Sequence, residues 1–228
     1  MPLHSLDSKK IRVLSWNIAK GRHREWRHDL HRLSQEADLA LLQEARLEHA
    51  MHQVIPDSCW AFAPGYQRRN LTSGVLTISR AETIDRFHHS HREPLTLLPK
   101  AALVTEYRLR SSPHTLLVAN VHAINFTAGT RHYHHQLLSV AHRIAHHAGP
   151  LIVSGDFNTW RNKRQRILDE LIRELGLTAI AYDQDHRRQA FGFALDHIFY
   201  RGLTHRQTRV DRVHTSDHNP ISTVFAID

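Results

Sequence analysis

Eight short apolar runs, most of them rich in Val, Ile and Leu, recur along this 228-residue chain with only three amphipathic stretches among them. The runs Ile11–Trp16, Leu39–Gln43, Ser73–Ser79, Ala101–Leu109, Leu116–Val121, Leu151–Ser154, Ala194–Phe199 and Ile221–Ala226 predict strands. The stretches Glu25–Glu36, His132–Ala148 and Lys163–Leu175 predict helices, the second stopped by Gly149-Pro150 and the third followed by Gly176 where a C-cap glycine belongs. Strands that outnumber helices cannot cover their faces with helices alone, so sheets must pack on one another with helices outside. No low-complexity linker, repeat or composition break divides the chain. One domain over 1–228 is expected, with residues 1–10 polar and flexible.

A hydrophobic fraction of 41% with 23% charged residues suits a globular chain that buries a real core. No apolar run approaches the roughly 18 to 20 residues that a membrane span requires, and Met1–Lys10 lacks the apolar centre of a signal peptide. Cys59 is the only cysteine, which rules out an intrachain disulfide and points to a reducing cytoplasm. Nothing in the sequence sets an oligomeric state, and a monomer is the expectation. The formal charge of +8 favours polyanionic partners such as nucleic acid, anionic headgroups or phosphorylated small molecules, without choosing among them. The 22 histidines cluster at 88, 89 and 91, at 132, 134 and 135, and at 142, 146 and 147. His142 and His146 share a helical face, but a zinc site normally adds partners in a defined arrangement, so solvated surface histidines are the reading taken.

Polar residues stand where the apolar runs end. Asn17 follows Val-Leu-Ser-Trp, Glu44 follows Ala-Leu-Leu-Gln, His122 follows Val-Ala-Asn-Val and Asp156 follows Ile-Val-Ser-Gly. Asp196 lies between Ala-Leu and His-Ile-Phe, and Asp217-His218 precedes Asn-Pro and the last run. A side chain at the end of a buried strand is rigidly held while its tip reaches a cleft. Carboxylates with the amides Asn17 and Asn158 form a hard oxygen set suited to Mg²⁺ or Mn²⁺. Asp217 beside His218 offers a carboxylate that can orient an imidazole. The chain has no Gly-x-Ser-x-Gly elbow and no Gly-x-x-x-x-Gly-Lys-Ser/Thr loop, which argues against a serine nucleophile and a P-loop.

The ordered set Ser-Trp-Asn17, Leu-Gln-Glu44, Ser73-Gly74-Val75, Asn120-Val-His122, Gly-Asp156-Phe-Asn158, Leu-Asp196-His-Ile and Ser-Asp217-His218 resembles the endonuclease/exonuclease/phosphatase superfamily. That superfamily includes pancreatic-type deoxyribonuclease, inositol polyphosphate 5-phosphatases and neutral sphingomyelinases, and the likeness is nearest to a small bacterial branch of unestablished substrate. The resemblance implies a deoxyribonuclease I-like, four-layered α/β/β/α sandwich of two mixed sheets flanked by helices. It implies that Glu44 is the principal metal ligand, assisted by Asn17, with Asp217 near the metal. Asp156 would orient or deprotonate the attacking water, and Asn158 would hold phosphate or nucleophile. His218, paired with Asp217, would meet the phosphate oxygen. His122 would be a second imidazole there, and Asp196 would support His122 or a second metal.

The implied reaction is Mg²⁺-dependent hydrolysis of a phosphate ester by in-line attack of water. Lys20, Arg22 and Arg24 after Asn17, with Arg161, Lys163 and Arg164 after Asn158, can track a phosphate backbone and tip the reading slightly toward a nuclease. A phosphatase or phosphodiesterase of a small or lipid phosphate is the alternative. A binding module without catalysis is remote, because every expected polar position carries a competent residue. Lys100, Asn125, Arg161 and Arg164 are the candidate phosphate contacts. The run Asn120-Val-His-Ala-Ile-Asn125-Phe departs from abasic-site endonucleases and weakens a DNA-repair role.

Overall fold

The computed structural model describes residues 2–46, 58–68 and 71–227. Two mixed sheets lie face to face. In the first, the strand order is β14 (Thr204–Val210), β15 (Ile221–Ala226), β2 (Ile11–Asn17), β3 (Leu39–Arg46), β5 (Leu71–Ser79) and β4 (Cys59–Arg68). In the second it is β1 (Leu6–Asp7), β7 (Pro99–Arg110), β8 (Thr115–His122), β9 (Leu151–Asp156), β13 (Asp196–Arg201) and β10 (Thr178–Ala179), with β6 (Thr83–Arg92) also paired to β7, while β11 (Gln189–Ala190) and β12 (Phe193–Ala194) form a separate hairpin. The pairs β2/β3, β8/β9 and β1/β7 are parallel and the others antiparallel. Helix α1 (Trp26–Ser34) packs on the first sheet, and α2 (Arg131–Ile144) and α3 (Asn162–Glu174) pack on the second. The expected four-layered α/β/β/α sandwich is the observed fold.

Alternation along the central strands builds the layers, because successive side chains leave a strand on opposite faces. Val13 and Leu41 point into the space between the sheets with Val118, Ile152 and Ile198, while Leu14 and Leu42 meet Trp26 and Leu30 of α1. On the second sheet Leu117, Ala119 and Val153 face outward onto Tyr133, Leu137 and Ile144 of α2 and Leu168 of α3. A strand covered on both faces reads as a continuous apolar run, which is why these central strands were visible in the sequence. The third helix ends as expected: Gly176 adopts φ +63°, its N–H bonds Arg173 O and the Leu177 N–H bonds Ile172 O, satisfying two terminal carbonyls. The second helix is shorter than its sequence pattern and ends at Ile144, before Gly149-Pro150.

Near the start of the described chain, Leu6 and Asp7 pair in parallel with Leu109 and Arg110, Leu6 is buried, and Leu3 exchanges main-chain bonds with Arg80 and Glu82. Burial of Leu6 between the sheets is what holds them.

Candidate active site

Strand register assembles the site. His122, Asp156 and Asp196 are direct partners across β8, β9 and β13, so one imidazole and two carboxylates end three adjacent strands on a single rung. Close approach of β8 and β9 there demands a glycine: a Cβ on Gly155, at φ +144°, would lie 1.9 Å from the Val121 carbonyl oxygen. In the opposite sheet Asn17 pairs with Gln43 across β2 and β3. The two rungs are joined where Asn17 Nδ2 donates to Asp156 Oδ2 at 3.0 Å. Below them Gln43 Nε2 donates to Asn120 Oδ1 at 2.7 Å, and Asn120 Nδ2 donates to Leu76 O, so a buried polar bridge fixes the spacing of the sheets beneath the site.

Glu44 is aimed by a bulge. The β3/β5 register slips between Leu42 and Ala45, and Glu44 takes φ +52°, which turns its carboxylate into the cleft instead of along the pleat. There it lies 3.6 Å from Lys100 Nζ, 3.7 Å from Lys20 Nζ and 3.8 Å from His122 Nε2. Ser73 and Gly74 of the sequence motif line the same cleft. Asn158, also left-handed at φ +50°, is locked by its N–H to Asp156 Oδ1 and by its Nδ2 to Ala123 O. Asparagine tolerates that conformation better than most residues.

Asp156 is the hub. It accepts from Asn17 and from the Asn158 backbone, and lies 3.6 Å from His122 Nε2 and 3.9 Å from His218 Nε2. Burial and the nearby Asp196 push its carboxyl up to about 6, against the pull of His218 and Lys100. Burial alone would depress His218, but Asp196 and Asp156 outweigh it and raise the imidazole to about 10. His122 is held well below its ordinary value by burial, Lys100 and His218. Its Nε2 lies 2.8 Å from Lys100 Nζ, so the ammonium donates and the imidazole accepts. One histidine is thus positive and the other neutral at pH 7, on either side of one carboxylate.

Several sequence expectations change. His218 is bonded to Asp196, with Nδ1 to Oδ2 at 2.7 Å, and not to its neighbour Asp217. Asp217 is exposed and acts on His218 through space. The cause is local: Ser216 Oγ accepts the His218 N–H and donates to Asn17 O, a tight turn in which adjacent side chains diverge. Asp196 accordingly supports His218 and not His122. Arg164 is no phosphate contact: it is fully buried, and its guanidinium donates to Ile124 O, Asn158 O and Asn125 O while stacking against Tyr133 and Trp160. Arg161 Nη2 is turned to Thr127 O and Gly129 O, and the Asn125 side-chain carbonyl accepts from Trp160 Nε1. Lys100 lies in the cleft, its Nζ 2.8 Å from His122 Nε2 and 3.6 Å from Glu44 Oε1. Lys20 sits beside Glu44, a placement unforeseen from sequence but signalled by its closeness to Asn17. Trp16, whose Nε1 donates to His218 O, is a further support that the sequence reading passed over.

The donor chemistry fits a divalent cation. Glu44 offers a carboxylate ringed by three nitrogens at distances too long for hydrogen bonds, so it can exchange their charge for a metal's, and His122 lies between it and Asp156, 3.8 Å from one and 3.6 Å from the other. Asp156, Asp196 and His218 form a second group, with ligand atoms all within 4.8 Å of one another. Within that trio His218 Nδ1 is already bonded to Asp196, so the imidazole is held in one orientation.

A UPF0294 protein of Klebsiella pneumoniae is 40% identical over 227 residues, which cover 99% of this chain and 84% of that protein. Among solved structures, an endonuclease/exonuclease/phosphatase family protein from Leptotrichia buccalis superposes with a TM-score of 0.74 at 13% identity, covering 95% of this chain and all of that one. Bacteroides thetaiotaomicron mannosyl-6-phosphatase superposes with a TM-score of 0.71 at 14% identity, over 95% of this chain and 100% of that one. The Endonuclease/Exonuclease/phosphatase family model matches residues 14–218, a span that runs from β2 through His218 and takes in every strand-end residue of the site. The chain belongs to the endonuclease/exonuclease/phosphatase family.

Proposed function

We propose that the chain hydrolyses a phosphodiester by in-line attack of water, with Mg²⁺ as the metal. The carrying observation is the arrangement around Asp156, a buried carboxylate of raised basicity with a positive imidazole on one side and a neutral one on the other. A carboxylate near 6 is basic enough to orient and deprotonate water close to neutral pH. His218, positive and anchored by Asp196, faces charge that grows on phosphate oxygens, and Lys100 adds a second cation. Glu44 and Asn17 would hold the metal, with Asp217 near it; bound there, Mg²⁺ supplies Lewis-acid stabilisation of the reacting phosphate. Asn158 positions the nucleophile or the phosphate.

A nuclease remains the favoured form. With Arg164 buried, the support comes from exposed Arg22, Arg24 and Lys163, and from aromatic rings beside Asn158. Trp160 lies 6.2 Å from Phe191, and Phe191 and Phe126 are 84% and 53% exposed, surfaces on which bases can stack. A small-phosphate hydrolase is the other reading, favoured by the narrow cleft that Glu44, Lys20 and Lys100 share.

The test is hydrolysis of single-stranded DNA, RNA and a chromogenic diester by chelator-treated protein, with Mg²⁺ added back. Activity should vanish with chelator and return with Mg²⁺ or Mn²⁺, and Glu44→Ala should raise the Mg²⁺ needed for half-maximal rate. Full activity in excess chelator overturns the reading.

A further inference from the structure

Two of the histidine clusters that the sequence separates by more than forty positions meet in space. His89 and His91 alternate on β6, so their side chains leave the same face of the strand. The rings of His89 and His91 lie 4.3 Å apart and meet edge to face, and His91 meets His135 of α2 at 5.3 Å in the same manner. His132, one turn before His135, is near enough to act on His91 through space. We infer that His89, His91 and His135 form a three-imidazole site for a divalent transition-metal ion of the zinc type, which staples β6 to α2.

Three observations carry this. The first is spacing: nitrogens about 2.0 to 2.1 Å from one tetrahedral zinc place imidazole centroids about 5 Å apart, and the two pairs that share His91 stand at 4.3 and 5.3 Å. In the edge-to-face arrangement the three rings do not point their nitrogens at one centre, so binding requires the side chains to turn, and His135 is exposed. The second is a missing partner: His91 Nε2 is shielded from solvent and has no hydrogen-bond partner among the described residues, a costly state that a metal bond relieves. Burial and the neighbouring rings hold this imidazole at about 4, so it presents a neutral ring at pH 7. The third is that the two elements are already tied together beside the cluster, since Arg143 of α2 bonds Asp85 of β6 at 2.8 Å and lies 5.6 Å over the Phe87 ring. Imidazoles suit zinc, and three of them leave a fourth position for water. His142 and His146, read from the sequence as solvated surface histidines, are both exposed, and His146 lies beyond the end of α2.

The experiment is calorimetric titration of untagged, chelator-stripped protein with Zn²⁺, repeated for His135→Ala and for His142→Ala as control. Alanine is the best helix former and position 135 is exposed, so the variant keeps its fold. Its unfolding temperature without metal checks this. Binding of one zinc equivalent by the wild type should weaken at least tenfold in His135→Ala and be unchanged in His142→Ala. In NMR spectra Zn²⁺ should shift the ring protons of His89, His91 and His135 together, and the metal should raise the wild-type unfolding temperature but not that of His135→Ala. Zinc binding that is absent from the wild type overturns the inference. So does binding that is equal in wild type and His135→Ala, which would assign the metal to the carboxylates around Asp156.

Discussion

At the scale of single residues, the link between Asp196 and His218 carries the most consequence. An imidazole raised to about 10 stays positive through neutral pH, and the stability contributed by its pairing is complete below the ordinary value near 6.5 and lost as pH rises through about 10. In metal-free protein, NMR titration of His218 should therefore show an imidazolium that persists well past pH 8. Asp196→Asn should move that titration downward and lower turnover by two or more orders of magnitude, a typical effect of removing a group that orients a catalytic imidazole. Titration near pH 6.5 in the wild type would refute the pairing. The arginines invite a contrast. Arg164→Ala would leave three carbonyls without their donor in a buried place and should destabilise the protein by about 3 kcal/mol. Arg161→Ala removes a half-buried interaction and should cost less than about 1 kcal/mol. Chemical denaturation of the two variants side by side measures the difference. The Asp196–His218 pair was not legible in the sequence because Asp217 is the chain neighbour, and adjacency says nothing about which way side chains leave a tight turn. The pairing depends on β13 lying antiparallel to β9, a fact of long-range register.

At the scale of elements, strands covered on both faces were legible and strands at the edges were not. The central strands β2, β3, β8 and β9 are mostly apolar up to their polar ends because each face meets another layer. Strands β6 and β14, Thr-Ile-Asp-Arg-Phe-His-His-Ser-His-Arg and Thr-His-Arg-Gln-Thr-Arg-Val, are largely polar, and each pairs with a single neighbour. Main-chain bonds to that neighbour build them, and charged side chains keep such edges from pairing with other molecules. The cleft position of Glu44 was legible as a strand end, whereas the bulge that aims it was not, since it depends on the opposing register of β5. Gly155 gives the element-scale test. Its alanine variant forces Cβ against the Val121 carbonyl, one pair from the end of the β8/β9 ladder and directly beneath the site. Gly155→Ala should destabilise by at least about 2 kcal/mol and reduce activity in step with the folded fraction, read from the denaturation midpoint and from circular dichroism. A variant as stable as the wild type would show that the two strands separate more easily than their register implies.

At the scale of the whole molecule, the question is what a chain with a net charge of +8 attracts into its cleft. A polyanion bound across several phosphates releases condensed counterions, so its affinity falls by orders of magnitude between roughly 50 and 200 mM salt, whereas a small ester that meets one or two charges shows a shallow slope. The structure reshapes the test, because Arg164 is committed to the interior and cannot contribute to that slope. The exposed residues Arg22, Arg24 and Lys163 remain, on the loop after β2 and at the start of α3. Changing all three to alanine should flatten the salt dependence of single-stranded DNA binding by about 0.7 in log–log slope for each phosphate that is no longer neutralised. Hydrolysis of a chromogenic diester should hold steady, since Asp156, His218 and Glu44 are untouched. Salt titration of DNA binding by fluorescence anisotropy, wild type against the triple variant, measures this. A shallow slope in the wild type would move the assignment from nuclease to a hydrolase of small phosphate esters, while the metal and acid–base roles proposed for the rung at Asp156 would stand unchanged.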